Sequence, residues 1–232
     1  LVATLAVRSG FRTEFVDTIL GANAHVTVYA SARTNDAGRI ERGIRDYEGW
    51  AERLATVPDV LRAAPLIRGQ IMANANGRNA GAEVFGITLP DLRGIPRVAG
   101  DAADIEGEID RFDQGIAIGS GLARELGVMV GDRIKLISPE GVKTAFGTSP
   151  RVNAYEVVAI FTAGRWDIDR TRIYMPFAEA QSYFNREGQA DEIEVMVRDP
   201  DAVDDMALPL MQAAGEGALI WTWRDASGSF LR

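Results

Sequence analysis

The chain has 232 residues, 47% of them hydrophobic and 25% charged, a composition typical of a folded globular protein and unlike a disordered one. Its formal net charge is −8, and because a negative surface repels phosphates, nucleic-acid binding is not expected. The absence of cysteine excludes disulfides, thiolate zinc sites and cysteine nucleophiles.

The chain opens on an apolar stretch, Leu1–Val7, although no stretch reaches the roughly 20 apolar residues that cross a bilayer. This start fits either the outer turns of a membrane helix whose remainder is cut away or the first element of a core. Apolar residues then recur at helical spacing from Phe11 to Leu20, and Gly21 is placed to end a helix. The pattern predicts a helix over residues 1–20.

Alternation predicts a short strand at 25–30, with His25 facing solvent. A polar loop is expected over residues 31–45. Asp46 is the expected cap of a helix whose inner face carries Trp50 and Leu54.

Residues 60–76 are predicted to form a strand or a pair of strands. The Asn76-Gly77 dipeptide is a hairpin-turn signal that leads into a strand at 82–88. Residues 89–113 are rich in Pro, Gly and Asp, and we expect connecting loops there with one short helix.

The middle of the chain predicts a strand at 115–120, a helix at 121–126 with Gly127 as its C-cap, and a strand at 132–138. A twelve-residue segment bounded by Pro139 and Pro150 follows, and then a strand at 155–162. Two strands flanking one exposed segment predict a β-hairpin with a long tip.

The last third alternates between strands and helices, which predicts two α/β halves with the β-rich middle inserted between them. Pro209 lies inside the last predicted helix and is expected to kink or break it. The predicted strands are 172–175, 192–198 and 219–223, and the predicted helices are 177–184 and 202–214.

Few residues carry recognisable chemistry. Glycines 119, 121 and 127 miss the dinucleotide-binding pattern, because the third glycine would have to stand where Arg124 is. His25 is the only histidine, and no serine or second histidine stands near it in the sequence. We interpret the glycines as turn residues.

The acidic residues give no catalytic site either. Asp167 and Asp169 would share one face of an extended chain and could hold a cation, but the arginines around them favour surface ion pairs. The pairs Glu106/Glu108 and Asp204/Asp205 have no partner that would raise a pKa for acid catalysis. No catalytic, cofactor-binding or metal-binding residue is predicted, and we expect the protein not to be an enzyme.

Five strings, taken together and in order, resemble the LolC/LolE family of lipoprotein-releasing ABC transporter permeases. They are Ser-Gly-Phe-Arg-Thr-Glu-Phe at 9–15, Ile-Leu-Gly-Ala-Asn-Ala-His-Val at 19–26, Gly-Ile-Ala-Ile-Gly-Ser-Gly-Leu-Ala at 115–123, Val-Gly-Asp-Arg-Ile-Lys-Leu-Ile-Ser-Pro at 130–139 and Trp-Arg-Asp-Ala-Ser-Gly-Ser-Phe at 223–230.

The resemblance implies a fold and a location. The expected fold class is α+β, a MacB-like periplasmic domain in which an α/β porter-like subdomain carries an inserted β-rich, sabre-like subdomain with a protruding β-hairpin. The expected boundaries are residues 1–85 and 169–232 for the first part and 86–168 for the insert. The domain would lie in the periplasm, between two membrane helices of an inner-membrane permease.

The resemblance also implies a partner-binding site. In LolC-type members a hairpin called the hook captures the periplasmic lipoprotein chaperone LolA, and two prolines bound it. Beside it lies a polar patch called the pad, whose places here are held approximately by Lys135, Arg151 and Asn153. The corresponding hook residues are Pro139, Glu140, Gly141, Val142, Lys143, Thr144, Ala145, Phe146, Gly147, Thr148, Ser149 and Pro150, with the register of 140–145 left open.

The implied function is the transfer of lipoproteins from the inner membrane to the chaperone. The implied partners are the chaperone, lipoprotein substrates, a sister permease subunit that is identical or LolE-type, and a cytoplasmic ATPase; no cofactor is expected. A MacB-like export domain that binds a periplasmic adaptor is the alternative. A free-standing hydrolase is a third reading, which predicts a concave pocket with a perturbed acid or base.

Overall fold

The computed structural model describes residues 22–225, so the helix predicted over residues 1–20 lies outside the described residues. The strands are β1 (Val26–Ala30), β2 (Arg33–Thr34), β3 (Ile40–Glu41), β4 (Val60–Ala75), β5 (Arg78–Ile87), β6 (Asp104–Gly107), β7 (Ile116–Gly119), β8 (Arg133–Thr144), β9 (Gly147–Thr162), β10 (Arg172–Pro176), β11 (Glu192–Val197) and β12 (Ala218–Thr222).

The helices are short, and within residues 22–225 none is long and apolar enough to span a membrane. Two 3-10 helices lie at Ile109–Gln114 and Pro200–Ala202. The α-helices are α1 (Tyr47–Ala55), α2 (Leu89–Arg93), α3 (Ser120–Leu126), α4 (Trp166–Thr171), α5 (Phe177–Tyr183) and α6 (Val203–Ala213). Helix α6 runs through Pro209, so the predicted break does not occur there.

Within the described residues, ten strands form one sheet in the order β12-β1-β11-β4-β5-β10-β7-β9-β6, and β8 pairs with both β4 and β9. The pairs β5/β10 and β7/β9 are parallel, and the other pairs are antiparallel. Strand β4 is the connecting element, since its first half pairs with β11 and its C-terminal end pairs with β8.

Local sequence signals place several of these elements. Asp46 caps α1 by accepting a hydrogen bond from the backbone N–H of Gly49 at 3.2 Å, and Trp50 and Leu54 are buried. The β4–β5 turn has Asn76 and Gly77 at φ of 54° and 71°, the left-handed conformation that a two-residue hairpin turn requires. These predictions are confirmed.

Two predicted loops contain more structure than expected. The segment 31–45 includes the small β2–β3 hairpin, because the side chain of Asn35 accepts the backbone N–H groups of Ala37 and Arg39 and closes a turn. The segment 89–113 contains α2, which is the one short helix expected there, and in addition the strand β6, which pairs with β9. Both segments are polar or rich in Gly, and they lack the apolar periodicity from which such short elements could be predicted.

Among residues 22–225, apolar side chains form three clusters of buried residues. One lies between α1, α6 and the β1/β11 part of the sheet, and includes Trp50, Leu54 and Leu210. A second packs α3 and α5 against β4, β5 and β8, and a third surrounds Phe161 and Tyr174. The division of the chain at residues 85/86 and 168/169 stays a prediction, and strand pairing continues across it through β5, β10 and β7.

Candidate functional site

The β8–β9 hairpin is longer and more regular than the sequence suggested. Regular pairing continues up to Ser138 opposite Arg151, and it resumes from Val142 opposite Ser149 to Thr144 opposite Gly147. The proline-bounded segment is therefore mostly strand, with a two-residue turn at residues 145–146. Residues 142–150 are all exposed to solvent.

A bulge separates the outer part of the hairpin, residues 142–149, from the sheet. We call this outer part the arm. Between the two paired regions, three residues of β8 (139–141) lie opposite the single residue Pro150 of β9. Proline has no N–H to donate, so the prolines interrupt the ladder here. Gly141 is required for close packing, because a Cβ on it would overlap the carbonyl oxygen of Ser149. The bulge is thus a built-in bend at the root of the hairpin.

The tip presents an aromatic ring to solvent. Thr144 Oγ1 donates to the carbonyl oxygen of Gly147 at 2.7 Å and accepts the N–H of Phe146 at 3.3 Å. Gly147 has φ of 120°, which favours glycine. These interactions define the turn, and the Phe146 side chain is fully exposed and packs against no core.

The three predicted pad residues lie on two faces of the hairpin base. Asn153 lies opposite the buried Leu136, and Arg151 lies opposite the buried Ser138, so these two share the face that α5 covers. Lys135 lies opposite Ala154, on the other face. The structure therefore brings Arg151 and Asn153 together and does not bring Lys135 to them.

Tyrosines support the covered face. Asn153 Nδ2 donates to the Tyr155 hydroxyl at 3.1 Å, and this hydroxyl donates to Glu179 at 2.6 Å. Burial, and then the hydrogen bond to Glu179, raise the pKa of Tyr155. The Tyr183 hydroxyl donates to the Leu136 carbonyl at 2.8 Å, and burial raises the pKa of Tyr183 to about 12. Both phenols stay protonated at neutral pH and act as fixed donors.

Asn185 and Arg186, which sequence reasoning missed, contact the root of the hairpin. Both follow α5, and they hydrogen-bond to Gly141 and Glu140 in the bulge. Asn185 has φ of 58°, so an Asn placed just after a predicted helix was the available signal for a turn. Nothing local to 185–186 indicates a contact with residues 140–141.

Two predictions about single residues are wrong. His25 is buried instead of facing solvent, because its Nδ1 accepts the backbone N–H of Val197 at 2.9 Å. Asp167 and Asp169 lie in α4 and not in an extended chain. Asp169 is buried and accepts backbone N–H groups, whereas Asp167 pairs with Arg165 at 2.7 Å as expected of a surface carboxylate.

The predicted turn glycines behave as turn glycines. Gly127 ends α3 with φ of 68°, and a Cβ on Gly119 would overlap the backbone of Asp169. Within residues 22–225, no group of three or more Asp, Glu or His side chains is arranged to hold a metal ion. Asp204 lies near Arg224 at 3.7 Å, which is an exposed ion pair.

A cavity of about 310 Å³ lies against β11 and holds buried charge. Glu192 pairs with Arg68 at 3.3 Å, while Glu194 is buried without a hydrogen bond to another described residue. Burial, and then the charge of Glu192, raise the pKa of Glu194 to about 7. The described residues that line this cavity include no Ser, Cys or His nucleophile. The hydrolase hypothesis predicts a pocket that contains an acid or base with a shifted pKa. This cavity contains such an acid, Glu194.

Residues 1–209 match the family model of the MacB-like periplasmic core domain. Over 98% of its length the chain is 26% identical to the "Lipoprotein-releasing system transmembrane protein LolC" of Neisseria meningitidis serogroup B, and covers 54% of that protein. It is 22% identical to the corresponding LolE protein of Haemophilus influenzae, over 100% of this chain and 55% of the relative. The chain therefore spans about half the length of these curated relatives.

The fold also matches a solved structure. The periplasmic region of MacB from Actinobacillus actinomycetemcomitans superposes with a TM-score of 0.54 at 10% sequence identity, covering 93% of this chain and 97% of that one. At this identity the match establishes the fold alone.

Proposed function

The chain belongs to the family of MacB-like periplasmic core domains, and from this premise we propose that it is the periplasmic domain of a lipoprotein-releasing permease. The resemblance to LolC and LolE noted in the sequence extends over nearly the whole chain, in agreement with that assignment. In this proposal the domain belongs to an inner-membrane transporter with a sister permease subunit and a cytoplasmic ATPase. It binds a LolA-type chaperone through residues 139–150 and helps to pass lipoproteins to it.

The exposure of Phe146 at the tip of the arm is the observation that carries the proposal. The Phe146 ring is in contact with water in the free domain. Burying it on a partner removes this apolar surface from water and contributes about 1.5–3 kcal/mol to the free energy of binding. Phe146 is also more exposed than the two other large, solvent-exposed apolar residues of the hairpin, Val142 and Val152, which are 47% and 52% exposed. A single aromatic anchor of this kind is typical of a binding hot spot.

The fold alone also fits the alternative of an export permease domain that binds a periplasmic adaptor, since a MacB periplasmic region shares it. The two proposals differ in what contacts the arm. In the first proposal, a chaperone that carries an acyl chain needs apolar surface to cover it, and Phe146 would be buried on such a surface. In the alternative, no acyl chain is passed to the adaptor, and we expect its binding not to depend on Phe146.

Site-specific crosslinking tests the proposal in the intact transporter. A photoreactive phenylalanine analogue replaces Phe146 in the full-length permease in cells, and the captured protein is identified by mass spectrometry. The matched control carries the analogue at Leu208, an equally apolar and 61% exposed position on α6. We expect the chaperone at position 146 and not at position 208. Capture of an adaptor at 146, or equal chaperone capture at both positions, contradicts the proposal.

A further inference from the structure

One amide side chain connects both strands at the root of the hairpin to the body of the domain. Asn185 Nδ2 donates to the carbonyl oxygen of Gly141 in the β8 bulge at 3.1 Å. Its Oδ1 accepts a hydrogen bond from Arg151 Nη2 in β9 at 2.9 Å. Asn185 therefore contacts both strands of the hairpin at the bend.

Arg186 makes a second connection beside it. Its Nη2 pairs with Glu140 in the bulge at 2.8 Å, its Nε pairs with Asp191 at 3.3 Å, and its Nη1 donates to the carbonyl oxygen of Phe184 at 2.6 Å. Asp191 in turn accepts the backbone N–H of Arg68 in β4 at 2.7 Å. A continuous chain of polar contacts thus runs from the bulge to β4 in the sheet.

The turn that carries these two residues is itself held firmly. Phe184 is buried, and its ring lies directly over Gly69 of β4, where a Cβ would overlap it. The backbone N–H of Arg186 donates to the carbonyl oxygen of Gln181 at 2.7 Å. Because the turn is packed onto β4, contacts from the turn to the bulge fix the bulge relative to the sheet.

The arm beyond the bulge has no other support among the described residues. Residues 142–150 are all exposed, and an isolated two-stranded hairpin is at best marginally stable in water. The direction of the arm is therefore decided at the bulge. A side chain that grips the bulge controls where the tip points.

We propose that Asn185 and Arg186 are positioning residues that hold the bulge of the 139–150 hairpin and thereby fix the direction in which Phe146 is presented. The effect on a protein partner rests on the function proposed above, whereas the effect on the arm does not. A partner that meets a pre-oriented arm loses less conformational freedom on binding, which increases affinity.

Spin labels measure the direction of the arm without any partner. The chain has no cysteine, so Ala145→Cys at the turn and Glu52→Cys on α1 can be labelled selectively. Pulsed electron resonance then gives the distribution of distances between tip and body.

The test variants are Asn185→Gly, which keeps the left-handed backbone available, and Glu140→Ala. Glu140→Gln retains an acceptor for Arg186 and serves as the conservative variant. Arg45→Ala, which removes the exposed Arg45–Glu41 pair at 2.9 Å, is the control.

We expect a broader distance distribution in Asn185→Gly and Glu140→Ala, with the wild-type distribution in Arg45→Ala and most of it retained in Glu140→Gln. Chaperone binding should weaken about threefold to tenfold in the first two variants while their melting temperatures stay close to wild type. An unchanged distance distribution in Asn185→Gly overturns the inference, whether or not the chaperone binds. A broadened distribution together with no chaperone binding by the wild type supports the positioning role and contradicts the proposed function.

Discussion

Asp169 Oδ1 accepts a hydrogen bond from the backbone N–H of Ala163 at 2.6 Å, and its Oδ2 accepts that of Gly164 at 3.1 Å. The carboxylate is buried at the start of α4 and closes the loop that leaves β9. Asp167, two residues earlier in the same helix, is 58% exposed at its side chain. The two aspartates therefore have different roles, and the free energies of unfolding of variants at the two positions can distinguish them.

Replacing Asp169 with Ala should lower the free energy of unfolding by about 2–3 kcal/mol, since it leaves two backbone donors without their charged acceptor. Replacing Asp167 with Ala should change it by less than about 0.5 kcal/mol. Urea unfolding of both variants measures the difference. Equal effects for the two residues would contradict the structural role assigned to Asp169.

Glu194 should make stability depend on pH in the direction opposite to that of a salt-bridged carboxylate. Its pKa is raised to about 7 from an ordinary value of 4.5, so the native state holds an extra proton between these values. The contribution of Glu194 to the free energy of unfolding therefore falls as pH rises through this window and is constant above it. Glu194→Gln removes the cost of ionising the buried group, and we expect the variant to be about 1–3 kcal/mol more stable than wild type at pH 8.

Unfolding curves at pH 5 and pH 8 measure this effect. The difference in the free energy of unfolding between Glu194→Gln and wild type should be small at pH 5, because Glu194 is protonated in the native state at that pH. We call this difference the gap. Glu106→Gln, in the exposed strand β6, serves as the control and should show no gap at either pH. A gap that is as large at pH 5 as at pH 8 would mean that burial of charge is not the cause.

Gly141 should be the least replaceable residue of the hairpin root. Gly141→Ala forces a Cβ against the backbone of Ser149 and Arg151. We expect the two strands to move apart at the bulge and the free energy of unfolding to fall by about 1–3 kcal/mol. Gly81→Ala is the matched control, because Gly81 also lies in a strand but a Cβ on it meets no atom within 4 Å. Thermal unfolding together with amide exchange at residues 142–149 compares the two. Similar behaviour of both variants would argue against a tight bulge.

Short-range signals predicted much of the fold. The Asp46 cap, the Asn76-Gly77 turn and the Gly127 C-cap each depend on residues within a few positions, and each is where the sequence indicated. The two prolines marked the position of the bulge, where strand pairing is interrupted, for the same reason. The two prolines act on their own backbone, whatever the rest of the chain does.

Long-range contacts account for what was missed. His25 is buried because it bonds to Val197, a residue 172 positions away that no local pattern indicates. Asn185 and Arg186 meet the hairpin root across 44 and 46 positions. Lys135 and Asn153 were expected in one patch, but their faces depend on the β8–β9 register, which the sequence alone does not determine.

The affinity of the domain for a LolA-type chaperone, compared between wild type and Phe146→Glu, tests the central claim most directly. Because the ring contacts no core, the substitution should leave the melting temperature unchanged. Leu208→Glu, a charge placed at another exposed apolar position, controls for nonspecific effects. We predict that Phe146→Glu weakens binding at least about tenfold, as expected for loss of a hot-spot aromatic, and that Leu208→Glu binds like wild type. Undiminished binding by Phe146→Glu would contradict the account.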